Sequence, residues 1–124
     1  MSDAIKRKTI FFKEDDGSEP VKAWLSELRR KKRHFEHEKI TTRINRATFG
    51  NFGDHRMFKG SIGELKIDFG PGYRVYFGVD GDEFVVLLQG GDKSSQQADI
   101  DLATERWGRY RKSKKGVGHD ASKQ

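Results

Sequence analysis

The chain contains no cysteine. That excludes a disulfide framework, a thiolate zinc site and thiol catalysis. It agrees with a reducing cytoplasm, where this reading places the protein, and equally with export. Histidine is scarce at four residues, so a dedicated metal site is not expected. Long apolar runs are missing: no stretch approaches the ~18 residues of a membrane helix, so no membrane partner is expected. Met1 to Lys8 carries no apolar stretch of the secretory-signal kind. Apolar residues make up 33% of the 124, which is lean, but nine Phe argue for a real core. This length fits one domain, which buries about two-thirds of its unfolded surface.

Charge is abundant and unbalanced. Lys and Arg number 25 against 19 acidic residues, a net +6. In a small protein this excess points to a polyanionic or acidic partner, or serves solubility alone.

Lys8 to Phe12 reads as a first strand. Ser18-Glu19-Pro20 reads as a helix start with a hydroxyl N-cap and Pro in the first turn. Val21, Trp24, Leu25 and Leu28 then fall on one helix face. The run Arg29 to Arg33 suits that helix's negative C-terminus. A second helix is expected over about Phe35 to Thr48, with Ile40, Ile44 and Ala47 inward. The period then changes to alternation. Leu65, Ile67 and Phe69 should face the core while Glu64, Lys66 and Asp68 share an open face. Gly70-Pro71-Gly72 is a turn, Tyr73 to Phe77 a strand, and Asp80-Gly81-Asp82 a hairpin turn. Phe84 to Leu88 is a continuous apolar run, expected as a central strand buried on both faces. Gly90 and Gly91 are expected to leave the sheet. Ser94 or Ser95 would cap a last helix with Ile100, Ala103, Trp107 and Tyr110 inward. These elements make an α+β domain over 1–112: one strand, two N-terminal helices, an antiparallel three-strand meander and a C-terminal helix. The basic tail 113–124, almost free of apolar residues, is expected to be disordered.

Lys66 and Asp68 lie two apart on one strand, Arg74 lies on the next strand beyond a short turn, and Lys93 follows the strand after that. These side chains would converge on a concave surface between sheet and last helix, where Lys and Arg hold a phosphate. The same spacing also suits a solvated sheet face with cross-strand ion pairs. A second basic element comprises Arg29, Arg30, Lys31, Lys32, Arg33, Lys39, Arg43 and Arg46. It either follows a phosphate backbone or forms a solvated helix face. The Gly-rich segments lack the P-loop and dinucleotide patterns and read as turns.

The run Gly53-Asp54-His55-Arg56, Lys59-Gly60, Gly63 to Ile67 and Gly70 to Phe77, with Leu87 to Gln96 and then Asp99, Ile100 and Ala103, resembles a group of bacterial toxins. The group is the RelE/ParE toxin superfamily, in its HigB-like, phage-derived addiction-module killer branch. The resemblance spans about Lys8 to Arg111. It implies a RelE-like fold and the toxin of a type II toxin–antitoxin system, a ribosome-dependent mRNA endonuclease that inhibits translation without metal or cofactor. It also implies three partners: the ribosome, mRNA and a cognate antitoxin with a helix-turn-helix domain. By position, Lys66 resembles a family lysine that acts as base or charge stabiliser, Arg74 the arginine on the scissile phosphate, and Lys93 a further charge stabiliser. The basic element Arg29 to Arg46 would contact RNA. Two positions depart from the RelE pattern: Asp68 stands where a second lysine is found, and Asp99 stands near the place of a tyrosine. His55, Asp68, Gln96 and Asp99 are therefore candidates for the acid–base role. A ParE-like gyrase inhibitor, and a non-catalytic nucleic-acid or repressor-partner module with the toxin fold, are the alternatives.

Overall fold

The computed structural model describes residues 4–122, with side chains through Lys114. In chain order the elements are β1 (Lys8–Phe11), α1 (Pro20–Arg30), α2 (His34–Thr48), β2 (His55–Met57), β3 (Ile62–Ile67), β4 (Tyr73–Asp80), β5 (Phe84–Asp92) and α3 (Gln96–Ser122). The class is α+β, and the five strands form one mixed sheet in the order β1-β5-β4-β3-β2. Strands β2 to β5 pair antiparallel in succession, and β1 runs parallel to β5. Among the described residues no helix is long and apolar enough to cross a membrane. The tail expectation for 113–124 lies mostly outside the residues whose side chains are described.

Both faces of the sheet are covered. On one, α1 and α2 bring Val21, Leu25, Leu28, Ile40, Ile44 and Ala47 onto Leu65, Ile67, Tyr73, Val75, Phe77, Val85 and Leu87. On the other, α3 lays Ala103 and Trp107 against Ile62, Tyr76, Val86 and Leu88. Each tryptophan lies directly over a sheet glycine. A Cβ at Gly90 would stand 2.2 Å from the Trp24 ring, and one at Gly78 would stand 2.3 Å from Trp107. The Trp107 indole N–H also donates to the Gly60 carbonyl at 2.6 Å, which ties α3 to the turn before β3.

Several local expectations are corrected. The face carrying Glu64 is not open, because α3 covers it and Glu64 is wholly buried. Gly90 and Gly91 stay within β5, since the bare backbone makes room for Trp24 and for Asp99. Helix α1 starts at Pro20 with Glu19 at its N-cap and no side-chain cap, so the Ser18 hydroxyl does not serve there. The turn before α3 is closed by Asp92, whose carboxylate accepts from the Ser94 backbone N–H at 2.8 Å. The Ser94 hydroxyl, which also donates to it, and then that backbone N–H hold the Asp92 carboxyl below its usual range. Strand β2 was not anticipated.

One irregularity places the site. The register between β4 and β5 slips at Tyr76/Phe77: Tyr76 pairs with Gln89 and Phe77 with Leu87. The extra residue, Leu88, forms a bulge, so Leu88 and Gln89 both turn toward α3. Without it, Gln89 would point into the apolar layer beneath α1 and α2.

Candidate phosphate-binding site

Strand alternation and register together set the polar side chains beneath and beside α3. On β3, Glu64 and Lys66 share the face turned to that helix. Lys66 stands directly across from Arg74 on β4, and Glu64 lies between Arg56 on β2 and Tyr76 on β4. Lys93 sits in a short 3-10 turn just after β5. The structure brings it to the same place through Gly72. A Cβ on Gly72 would stand 3.4 Å from Lys93 Cβ and 3.6 Å from Arg74 Nη1. Gly72 has φ of +81°, a left-handed conformation that favours glycine, and it is this conformation that the turn requires.

The three cations differ in exposure. Lys93 is exposed and Lys66 half-buried. Arg74 keeps only 12% of its side chain open, and its Nη1 donates to the carbonyls of Gly72 (3.3 Å) and Tyr73 (3.2 Å). Beneath them lies the feature that sequence reasoning passed over. The Glu64 carboxylate is 0% exposed, 3.4 Å from Arg56 Nε and 3.7 Å from Arg74 Nε. It accepts a hydrogen bond from the Gln96 amide at 2.8 Å. A buried carboxylate persists only where cations and donors compensate it. The Tyr76 hydroxyl is buried in the same row without a hydrogen-bond partner among the described residues. Burial, and then the adjoining Glu64 carboxylate, pushes that phenol well above its ordinary value and keeps it protonated.

The four acid–base candidates separate. Gln96 belongs to the cluster through Glu64. Asp99 is buried at the start of α3 and accepts from Gln89 at 2.8 Å and from the Ser95 hydroxyl at 2.6 Å, so it joins α3 to β5. Asp68 is exposed just beyond the end of β3. His55 is not brought to the cluster: it pairs with Leu65 and so faces the other side of the sheet, where its ring packs on Phe52.

The basic residues of α1 and α2 lie on the far face, and the junction between the two helices is at the same end of the molecule. Phe35, at the start of α2, packs edge-on against Phe69 in the turn after β3. Lys39 Nζ lies over both rings, 5.5 and 5.6 Å from their centroids. Arg29, Arg30, Lys31, Lys32, Arg33, Lys39 and Arg46 are exposed. Arg30 and Lys31 pair with Glu27, and Arg33 pairs with Glu36 at 3.5 Å. Arg43 is committed elsewhere, donating to the carbonyls of Lys66 (2.5 Å), Phe52 (2.9 Å) and Asp54 (2.8 Å). It fastens the chain entering β2 and pins the backbone of Lys66. Among the described residues no group of three or more His, Asp or Glu could hold a metal ion.

What the sequence did carry about Glu64 was its alternation onto the face of Arg74. What was missing was the recognition that α3, with Ala103 and Trp107 inward, would cover that face. Arg56 escaped because a three-residue edge strand gives too short a pattern to read.

No protein-family model matches the chain. A Haemophilus influenzae protein described as uncharacterized is 47% identical over 81 residues, spanning 65% of this chain and 79% of that relative.

Proposed function

We infer that this chain, which belongs to the same family as that Haemophilus influenzae protein, is the toxin of a type II toxin–antitoxin pair and acts as a ribosome-dependent mRNA endonuclease. The observation that carries the reading is the meeting of three cations at one end of the sheet, with Lys66 across from Arg74 and Lys93 beside it around Gly72. The resemblance of the Gly70 to Phe77 and Leu87 to Gln96 segments to RelE/ParE toxins supports it. The order of one strand, two helices, antiparallel strands and a closing helix supports a RelE-like arrangement.

On this reading the ribose 2′-hydroxyl attacks the adjacent phosphorus, a 2′,3′-cyclic phosphate forms, and the P–O5′ bond breaks to release a 5′-hydroxyl. The 2′ proton leaves to a base and the leaving oxygen gains one from an acid. Lys66 is placed as base or charge stabiliser, while Arg74 and Lys93 neutralise the charge that grows on the phosphoryl oxygens. Exposed basic residues of α1 and α2 contact ribosomal RNA, and a helix-turn-helix antitoxin covers the toxin.

The test is to map mRNA 5′ ends after brief induction of the wild type, Arg74→Ala and Lys66→Ala. New ends in translated frames that vanish in both variants support the reading. Because Arg74 is largely buried, the half-buried Lys66 variant guards against simple misfolding. Growth arrest without new ends would replace the reading with gyrase inhibition. No arrest from a folded, soluble protein would leave a non-catalytic binding module.

A further inference from the structure

We propose that Arg56 is a second phosphate-binding arginine at this site, and that buried Glu64 is the positioning residue that aims Arg56 and Arg74. The proposal rests on the endonuclease reading for the identity of the anion as RNA; its geometry does not depend on it.

Arg56 is held from two sides. Its guanidinium lies over the Phe58 ring, 4.6 Å from the centroid, and its Nε lies 3.4 Å from Glu64 Oε1. Yet 48% of the side chain is open to solvent, against 12% for Arg74. A long side chain on a surface normally gives up rotamer freedom when it binds, and one already stacked and paired gives up less. Among the described residues the Arg56 side chain makes no hydrogen bond. The planar fork that suits phosphate is therefore available.

Glu64 explains why two arginines sit side by side. Each lies within ion-pair distance of one carboxylate, which offsets their mutual repulsion. Neither contact forms a hydrogen bond: Glu64 Oε1 and Arg74 Nε both lack a hydrogen-bond partner among the described residues. The carboxylate thus restrains the guanidiniums without consuming their N–H groups. One negative charge against two positive leaves the pair cationic, next to Lys66. Because β2 is the sheet's edge strand, one strand beyond the Lys66/Arg74 pair, Arg56 would meet a phosphate neighbouring the scissile one on the same RNA strand.

The experiment uses the full chain with inorganic pyrophosphate and a 2′-O-methyl RNA oligonucleotide, which carries phosphates but no attacking hydroxyl. Arginine Nε resonances are followed by NMR in the wild type, Arg56→Ala and Glu64→Gln. In the wild type the Arg56 and Arg74 signals should be distinct and shift with either probe. Arg56→Ala should weaken oligonucleotide binding several-fold and lower its salt slope by about one. Glu64→Gln should collapse the two Nε signals and cut single-turnover cleavage on saturating ribosomes about tenfold, with RNA binding no weaker. A loss confined to packing would lower thermal stability and affinity together instead. If Glu64→Gln does not fold, Glu64→Asp, with its charge drawn back by one methylene, takes its place. Wild-type binding by Arg56→Ala, or wild-type Nε signals and rate in the Glu64 variant, would overturn the proposal. If the wild type cuts no message yet both probes shift Arg56 and Arg74, the endonuclease reading fails and the arginine pair stands. If it cuts message and neither variant changes rate or binding, the reading stands and the pair falls.

Discussion

Glu14 and Glu64 are both carboxylates set between two arginines, and their surroundings give them different work. Glu14 lies in the loop after β1, three-quarters buried, with Arg106 Nε at 3.0 Å and Arg109 Nη1 at 2.9 Å. The Arg109 hydrogen bond leads in holding its carboxyl below the ordinary 4.5, against the opposing pull of burial. Because the folded value is the lower one, Glu14 stabilises the fold above the unfolded value. That contribution disappears as pH falls through the folded value. Glu14→Gln should therefore cost roughly 0.5–1 kcal/mol near neutrality, a screened value suited to a partly open pair. The gap between the variant and the wild type should close below pH 4.5, and urea unfolding from pH 7 to pH 3 measures it. Glu64 has no solvent to relax into, so its arginines are drawn to it rather than it to them. Neither role was legible from residue type. Both carboxylates were visible in the sequence, one in an acidic loop and one on an alternating strand. The partners of Glu14 come from α3, with Arg106 lying 92 residues on, and those of Glu64 from β2 and β4.

At the scale of elements, the helices were legible because their apolar residues recur at a helical period: Val21, Leu25 and Leu28, then Ile40, Ile44 and Ala47, are all buried. The alternation of β3 and β4 was equally plain, and it set Lys66 opposite Arg74. Two things were not legible. The bulge at Leu88 is hidden in an unbroken apolar run, where no period marks which side each residue takes. The double role of α2 is hidden because Arg43 and Arg46 look alike in sequence, three residues apart. Arg43 turns inward to three carbonyls, while Arg46 stays exposed. Arg43→Ala should destabilise the fold by roughly 2 kcal/mol, since it leaves carbonyls around the start of β2 without their charged donor. Arg46→Ala should stay within about 0.5 kcal/mol of wild type, as surface substitutions do. Thermal unfolding of the two variants side by side separates them, and a loss of stability in Arg46→Ala equal to that in Arg43→Ala would contradict the division of the helix face.

Across the whole molecule, the cations of interest, part of a net +6, are divided between the two faces of the sheet. The α1/α2 cations lie on one face, and Lys66, Arg74, Lys93 and Arg56 lie on the other. The Phe35–Phe69 contact places the helix junction beside the turn that leads into Arg74. An RNA-bound assembly could thus grip the helices while a separate strand reaches the sheet. This arrangement predicts that the two faces fail differently. Replacing Arg29 and Arg46 together by Ala should weaken association with ribosomes and lower the log-affinity slope against log salt by about one per lost phosphate contact. At saturating ribosomes the cleavage rate should survive. Lys66→Ala should do the reverse, keeping association close to wild type while single-turnover cleavage falls by about 10²-fold or more. The measurement is ribosome binding at several salt concentrations alongside single-turnover cleavage for the two variants. If both lose binding and rate in the same proportion, the faces act as one surface and the separation of grip from chemistry is wrong.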